Sequence, residues 1–263
     1  MRSLSFLLSR RWILFLVAVI ALAWGAWWLG EWQFHRLEDR KEKNAIVERN
    51  EEAEPAPVAD VLSVDDGVAK KDEWRRITAT GTYDTENTVV VRYRTRDGMA
   101  GVDVVVPLIT DEGTSLIVDR GWMATENRGA RPEDLPSPPS GEVTVVGWVR
   151  KDASDDSAKV RDHSTRSISS TEIAEVTGDP TYRGFVDLAS EDPDTGSELK
   201  LASLPETDNG PHFFYGLQWW FFGFLALLGF VWMAVDEWRG GRKAQPAPAQ
   251  GPAADPSNDE QPA

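Results

Sequence analysis

The sequence predicts a two-helix transmembrane hairpin carrying a mainly antiparallel β (α+β) extracytoplasmic domain, in the form of a partial barrel. Three observations predict it: two long uncharged segments, a series of short β-branched segments between them, and basic residues on the outer flank of each apolar segment.

The first apolar segment, 12–30 (WILFLVAVIALAWGAWWLG), has 19 residues and no charge, and the second, 213–235, has 23 with Gln218 its most polar member. As helices they reach roughly 28 and 35 Å, against a hydrocarbon core of about 30 Å. A helix buried in a soluble core rarely stays apolar all round for that length. Nine of the 12 Trp lie in or beside these segments. Trp24, Trp27, Trp28 and Trp32 crowd one end of the first, Trp219 and Trp220 the start of the second, and Trp12, Trp232 and Trp238 the opposite face, as interfacial anchors do. Ser9-Arg10-Arg11 ahead of the first segment resembles a twin-arginine export signal, but Ala26-Trp27-Trp28-Leu29 offers no small-x-small cleavage site, so retention is expected.

Arg2, Arg10 and Arg11 precede the first span, and Arg239, Arg242 and Lys243 follow the second, behind Asp236 and Glu237. Counting bases puts both termini in the cytoplasm. The expected organisation is a cytoplasmic N-terminus (1–11), a first span (12–30), a stalk helix and linker (31–72), an extracytoplasmic β-rich domain (73–212), a second span (213–235) and a disordered cytoplasmic tail (236–263). Residues 31–212 hold 38 of the 43 acids and 22 of the 28 bases, so the acidity is exported. The short N-terminus favours a multi-pass protein of a bacterial plasma membrane over a mitochondrial one.

The stalk has only a thin apolar stripe (Leu37, Ala45, Ile46). Strands are expected at 74–83, 87–95, 102–108, 115–122, 143–150 and 182–188, rich in Val, Ile, Thr and aromatics and separated by Gly, Asp or Pro. A short helix is expected at Ser170–Thr177, capped by Ser170 or Thr171. Two long polar connections, Thr125–Gly141 and Lys151–Arg166, interrupt the pattern. The Pro- and Ala-rich tail cannot bury a core.

Composition excludes several functions. Without Cys there is no disulfide, thiolate metal site or lipid attachment through Cys. Four Met and three His do not make a soft copper carrier. A net charge of −15 argues against nucleic acid as a partner. No nucleophile elbow, phosphate loop or H-E-x-x-H motif is present, so no enzyme activity is expected. Among 43 acids, pairs such as Asp155-Asp156 or Glu191-Asp192 carry no catalytic information. His163 falls in a polar loop and His35 on the stalk, both read as non-ligating.

His212 differs. In Asp208-Asn209-Gly210-Pro211-His212, Asn209 or Gly210 can cap a helix and Pro211 fits its first turn, which fixes His212 at the outer membrane interface. The positive end of the helix dipole favours a neutral imidazole there, the form that ligates a metal. Gly216, Gly223 and Ala226 form a smooth strip below it, edged by Tyr215 and Trp219. Such a strip receives another helix or a flat macrocycle. The small pairs Ala21 with Gly25 and Ala26 with Gly30 on the first span are spaced for helix packing, which leaves the alternative that the two strips simply pack on each other.

Leu29-Gly30-Glu31-Trp32-Gln33 with Arg36, Arg120-Gly121-Trp122, and above all Pro211-His212-Phe213-Phe214-Tyr215-Gly216-Leu217-Gln218-Trp219 resemble the surfeit-locus family of cytochrome c oxidase assembly factors. The resemblance extends from Trp12 to Val235 and includes the order span, β-rich domain, span. It implies an accessory membrane protein that helps deliver or stabilise haem a during maturation of the oxidase catalytic subunit. Its implied partners are that subunit, the haem a synthase and the lipid bilayer. On the same footing His212 is the implied haem-iron contact, Tyr215, Gln218 and Trp219 shape its surroundings, and Trp32, Gln33 and Arg36 meet the propionates or the partner. Met123-Ala124-Thr125 and the acidity of the domain depart from the family pattern. The rival reading is a structural protein that binds no haem and clamps oxidase subunits. A periplasmic sensor is the weakest reading, because the cytoplasmic ends leave no room for an output domain.

Overall fold

The computed structural model describes residues 5–125, 130–131 and 134–240. Two compact units result, one taking Met1–Leu37 and Gly210–Ala263 and the other Glu38–Asn209.

The first unit is a helical hairpin. Helix α1 runs Arg10–Glu52 and helix α3 His212–Gly240. Both are long and apolar enough to cross a membrane. They run antiparallel: Trp12 and Phe15 pack on Phe230, with ring centroids 5.7 and 5.4 Å apart, and Phe34 packs on Phe213 and Trp220 at 6.2 and 4.9 Å. Trp12, expected as an interfacial anchor, is buried and packs against Phe6, Phe15 and Phe230. The flanks Arg2, Arg242 and Lys243 and the tail beyond residue 240 lie outside the described residues.

The second unit is built on strands β2 (Arg76–Tyr83), β4 (Met99–Thr110), β5 (Ser115–Ala124), β6 (Glu142–Arg150) and β8 (Thr181–Asp192). In space β6, β2, β4 and β5 lie side by side, all antiparallel, which is the Greek-key order. Strand β8 then fills the gap, antiparallel to β6 and parallel to β5. The expected partial barrel is therefore a closed five-stranded one. Closure depends on the length of β4: its first part pairs with β3 (Val89–Arg96), and its last three residues pair with β2. The two-residue strands β1 (Ala56–Pro57) and β7 (Ser164–Thr165), too short to announce themselves in sequence, add in parallel to β2 and β3.

Two apolar layers fill it. Ile77, Val104, Val106, Leu116, Val118 and Val145 come from several ring strands and form the interior. Val105, Ile117 and Phe185, one residue out of phase, face outward and are covered by Ile168 and by Ile173 of α2 (Ser170–Thr177). With both faces buried, β4 and β5 read as continuous apolar runs rather than alternating ones. Helix α2 has the expected bounds, but its cap is Ser169, whose side chain accepts the Glu172 N–H; Ser170 instead bonds Asp152 through its amide and hydroxyl.

Residues 31–72 contribute more than a stalk and linker. Val58 and Leu62 belong to the barrel core. Along α1 beyond residue 30 the buried positions are Leu37, Val47 and Asn50, while Ala45 is exposed and Ile46 half-buried. Asn50 donates to the Lys71 and Glu73 carbonyls at 2.9 and 2.8 Å, and Asn44 to those of Thr207 and Asp208 at 2.8 and 3.0 Å. Arg40 adds an ion pair with Asp208 at 2.5 Å. Amides occupy the packing stripe, so hydropathy alone does not reveal it.

Candidate functional site: the start of helix α3

Pro211 supplies the carbonyl that receives the first helical bond, from Tyr215 N–H at 3.1 Å. It therefore occupies the cap itself, and Gly210 before it takes φ 61°, a turn glycine rather than the cap. His212 is then the first residue of α3. Its Nδ1 lies 2.8 Å from Oε1 of Gln33 on α1. With the amide oxygen accepting, Nδ1 carries the hydrogen, and in the neutral ring the lone pair is then on Nε2. A second hydrogen-bonded group that fixes the ring and frees the other nitrogen is the usual arrangement behind a ligating His.

The smooth strip below His212 is filled. A Cβ on Gly216 would sit 2.7 Å from the Phe34 ring, and one on Gly30 would sit 2.3 Å from Trp220. Gly223 approaches Ala26 in the same way, at 3.3 Å. Of the two small pairs on α1, Ala26 with Gly30 faces α3, while Gly25 meets nothing within 4 Å. The strip is a helix-packing seam, so a flat macrocycle can approach His212 only from outside it.

His212, Tyr215 and Trp219 lie on one stripe of α3, with Gln218 beside it. His212 and Trp219 are half-buried, Trp219 against Phe222 at 6.0 Å, while Tyr215 and Gln218 are exposed. Near Gln33, Trp32 is exposed and the Arg36 guanidinium lies 5.6 Å from its ring. Thus Gly30 and Gln33 of one motif meet Trp220, Gly216 and His212 of the other. His35 is exposed on α1, and His163 is exposed in a loop where its carbonyl accepts the Val90 N–H. No group of three His, Cys, Asp or Glu among the described residues is arranged to hold a metal ion.

Arg120-Gly121-Trp122 has a structural explanation. Arg120, 1 % exposed, pairs with Glu191 at 2.6 Å, lies 5.4 Å from the Tyr83 ring and donates to the Pro136 carbonyl. Tyr83 donates to the same Glu191, and burial, with that carboxylate second, pushes its hydroxyl pKa far up. Gly121 has φ 127° and touches the Lys200 carbonyl, so a side chain there would be strained as well as obstructed. Trp122 N–H and C=O bond Lys200 on both sides. What sequence reasoning passed over is the charge around this motif: Asp103, Asp119 and Asp187 are all buried, amid Arg94, Arg96 and Arg150. The signal available was three acids inside otherwise apolar strands.

A family model described as the SURF1 family matches residues 20–224. SURF1-like proteins of Mycobacterium bovis and Mycobacterium tuberculosis are each 29% identical over 249 residues, covering 92% of this chain and 90% of theirs. The cytochrome oxidase assembly protein SHY1 of Saccharomyces cerevisiae is 28% identical over 102 residues, 38% of this chain and 26% of that protein. The family match takes in the α1 seam, the whole barrel and α3 past Gly223, and on that match the chain belongs to the SURF1 family.

Proposed function

We propose that the protein is a membrane assembly factor for haem–copper cytochrome c oxidase, and that it presents haem a to the maturing catalytic subunit. It acts as an accessory protein rather than an enzyme, with haem a as cargo received from the haem a synthase. Family membership and the oxidase-assembly role in the name of the yeast relative support the general role. The haem step rests on one observation: Nδ1 of His212 is held by Gln33 at 2.8 Å, which leaves Nε2 available to iron. A single His is an exchangeable holder, as a transfer protein needs. Tyr215, Gln218 and Trp219 would contact the macrocycle from the outer side of α3, and Trp32 and Arg36 its propionates.

In this reading α1 and α3 cross the plasma membrane as a hairpin, with both termini in the cytoplasm and the barrel outside. A reporter fused after Lys243 is expected to be active in the cytoplasm only; an exported reporter would overturn that orientation. The haem step is tested on detergent-purified protein from cells that make haem a. His212→Ala is expected to abolish co-purified haem, and Gln33→Leu to weaken retention about 10- to 100-fold. Unchanged haem content in His212→Ala would reject the ligand assignment.

The second reading, a clamp on oxidase subunits without haem, is favoured by the filled seam between α1 and α3. It expects co-purification with the oxidase and no haem spectrum in the isolated protein.

A further inference from the structure

On the outer face of the barrel a cleft of about 580 Å³ opens between the β3–β4 hairpin, strands β5 and β8, and residues 200–203. Its charges are unusual for a barrel wall. Asp103, on the β4 side, takes Arg94 and Arg96; Asp187 takes Arg150 at 2.6 Å; Asp97 takes Lys200 at 3.2 Å. Asp119, 3 % exposed, accepts a hydrogen bond from the Gly121 amide at 3.0 Å and has no cation bonded to it among the described residues. Burial, and then the charges of Asp103 and Asp187, hold its carboxyl well above the ordinary carboxylate range, against smaller lowering effects of the Gly121 amide and Arg94. Arg94, Arg96, Arg150 and Lys200 thus gather with Asp97, Asp103, Asp119 and Asp187, and burial disfavours the charge on Asp119, so cations weigh more here than in a chain of net charge −15 as a whole.

Hydrogen-bonding capacity is also left over: Arg94 bonds Asp103 through Nε and Arg150 bonds Asp187 through Nη1, while among the described residues the buried Nε of Arg150 and Oδ1 of Asp103 have no hydrogen-bond partner. The Arg-rich strand is shaped toward this place. Its pairing with β4 slips between Val91 and Arg94, with Tyr93 at φ 64°, and the Asp97-Gly98 turn brings Arg96 and Lys200 to the rim. Burying several charges in a sheet face is costly for stability, and replacing such networks by apolar groups is often neutral or favourable, so stability alone does not account for the cluster.

We propose that this cleft binds a small soluble polyanion bearing carboxylate or phosphate groups, held by Arg94, Arg150 and Lys200. Arg96 is committed to Asp103 and to the Lys200 and Leu201 carbonyls, and it fixes the rim. Anion binding raises the affinity of Asp119 for its proton, so binding and proton uptake are linked. The site makes no use of His212 and stands or falls apart from the haem reading.

The experiment is isothermal titration calorimetry of the detergent-solubilised full chain with citrate and with pyrophosphate, at pH 6 and pH 8. Binding of at least one probe is expected, with Arg94→Gln and Lys200→Gln each weakening it about tenfold or more. The probes themselves titrate in this range, so the pH arm is read as the difference between wild type and Asp119→Asn. The variant is expected to keep binding and to lose the extra tightening at pH 6. No binding of either probe, or unchanged affinity in both cation variants, overturns the proposal. An Asp119→Asn variant with the wild-type pH response overturns the proton linkage. Lys200 is half exposed, so Lys200→Gln decides the matter if Arg94→Gln fails to fold.

Discussion

At the residue scale the informative groups are charged side chains inside the barrel domain. Consecutive residues of β5 take different partners: Asp119 faces the outer cleft, and Arg120 sits against Glu191 and Tyr83. Removing Arg120 leaves the 6 %-exposed Glu191 carboxylate uncompensated. Arg120→Met is therefore expected to destabilise the domain by about 3–5 kcal/mol. Arg120→Met with Glu191→Leu should recover much of that loss, because no buried charge then stands alone. Thermal melts of the two single variants and the double variant check it; equal losses in Arg120→Met and the double variant would contradict the pairing argument. The motif was legible in sequence as a resemblance, but its reason was not, since Glu191 is 71 residues away in the chain.

At the scale of elements, the hairpin combines a close fit of small residues and rings with the Gln33–His212 hydrogen bond. Gly30, Gly216 and Gly223 let rings and backbone approach, as small residues do in closely packed helix pairs. Gly216→Leu is expected to push Phe34 away and part α1 from α3. The absence of Cys makes this measurable: with Phe15→Cys and Phe230→Cys introduced, the intact hairpin should cross-link efficiently and the Gly216→Leu background poorly. Equal cross-linking in both would mean that the seam does not set the packing. Both apolar helices and the small-residue spacing were readable from the sequence. Which pair of small residues is used was not, because a helix wheel shows a face without its neighbour.

For the whole molecule, closure of the barrel sets the response to pH. Asp119 and Asp187 both have carboxyls raised by burial, with Arg150 opposing the shift at Asp187. An acid raised on folding keeps its proton in the folded state at a pH where the unfolded chain has lost it. Stability from these two groups is thus complete below the ordinary carboxylate range and is lost as pH rises through their raised values. Melts between pH 5 and pH 8 should show Tm falling with pH, and less steeply in Asp119→Asn. A variant as steep as wild type would remove Asp119 as the cause.

Local sequence patterns suffice for the elements: two apolar helices, six main strands nearly to their ends, helix α2, and His212 at the start of α3. These follow from local rules of apolar run length, β-branching, turn residues and caps, each read within a few residues. Long-range packing is what makes β4 divide one edge between β3 and β2, lays β8 parallel to β5, brings Gln33 to His212 and gathers three Asp beneath Arg94 and Arg150. Those relations join residues up to 179 apart in sequence, and no local periodicity carries them. They exist because closing a sheet and pairing two helices minimise exposed apolar surface and unpaired backbone together.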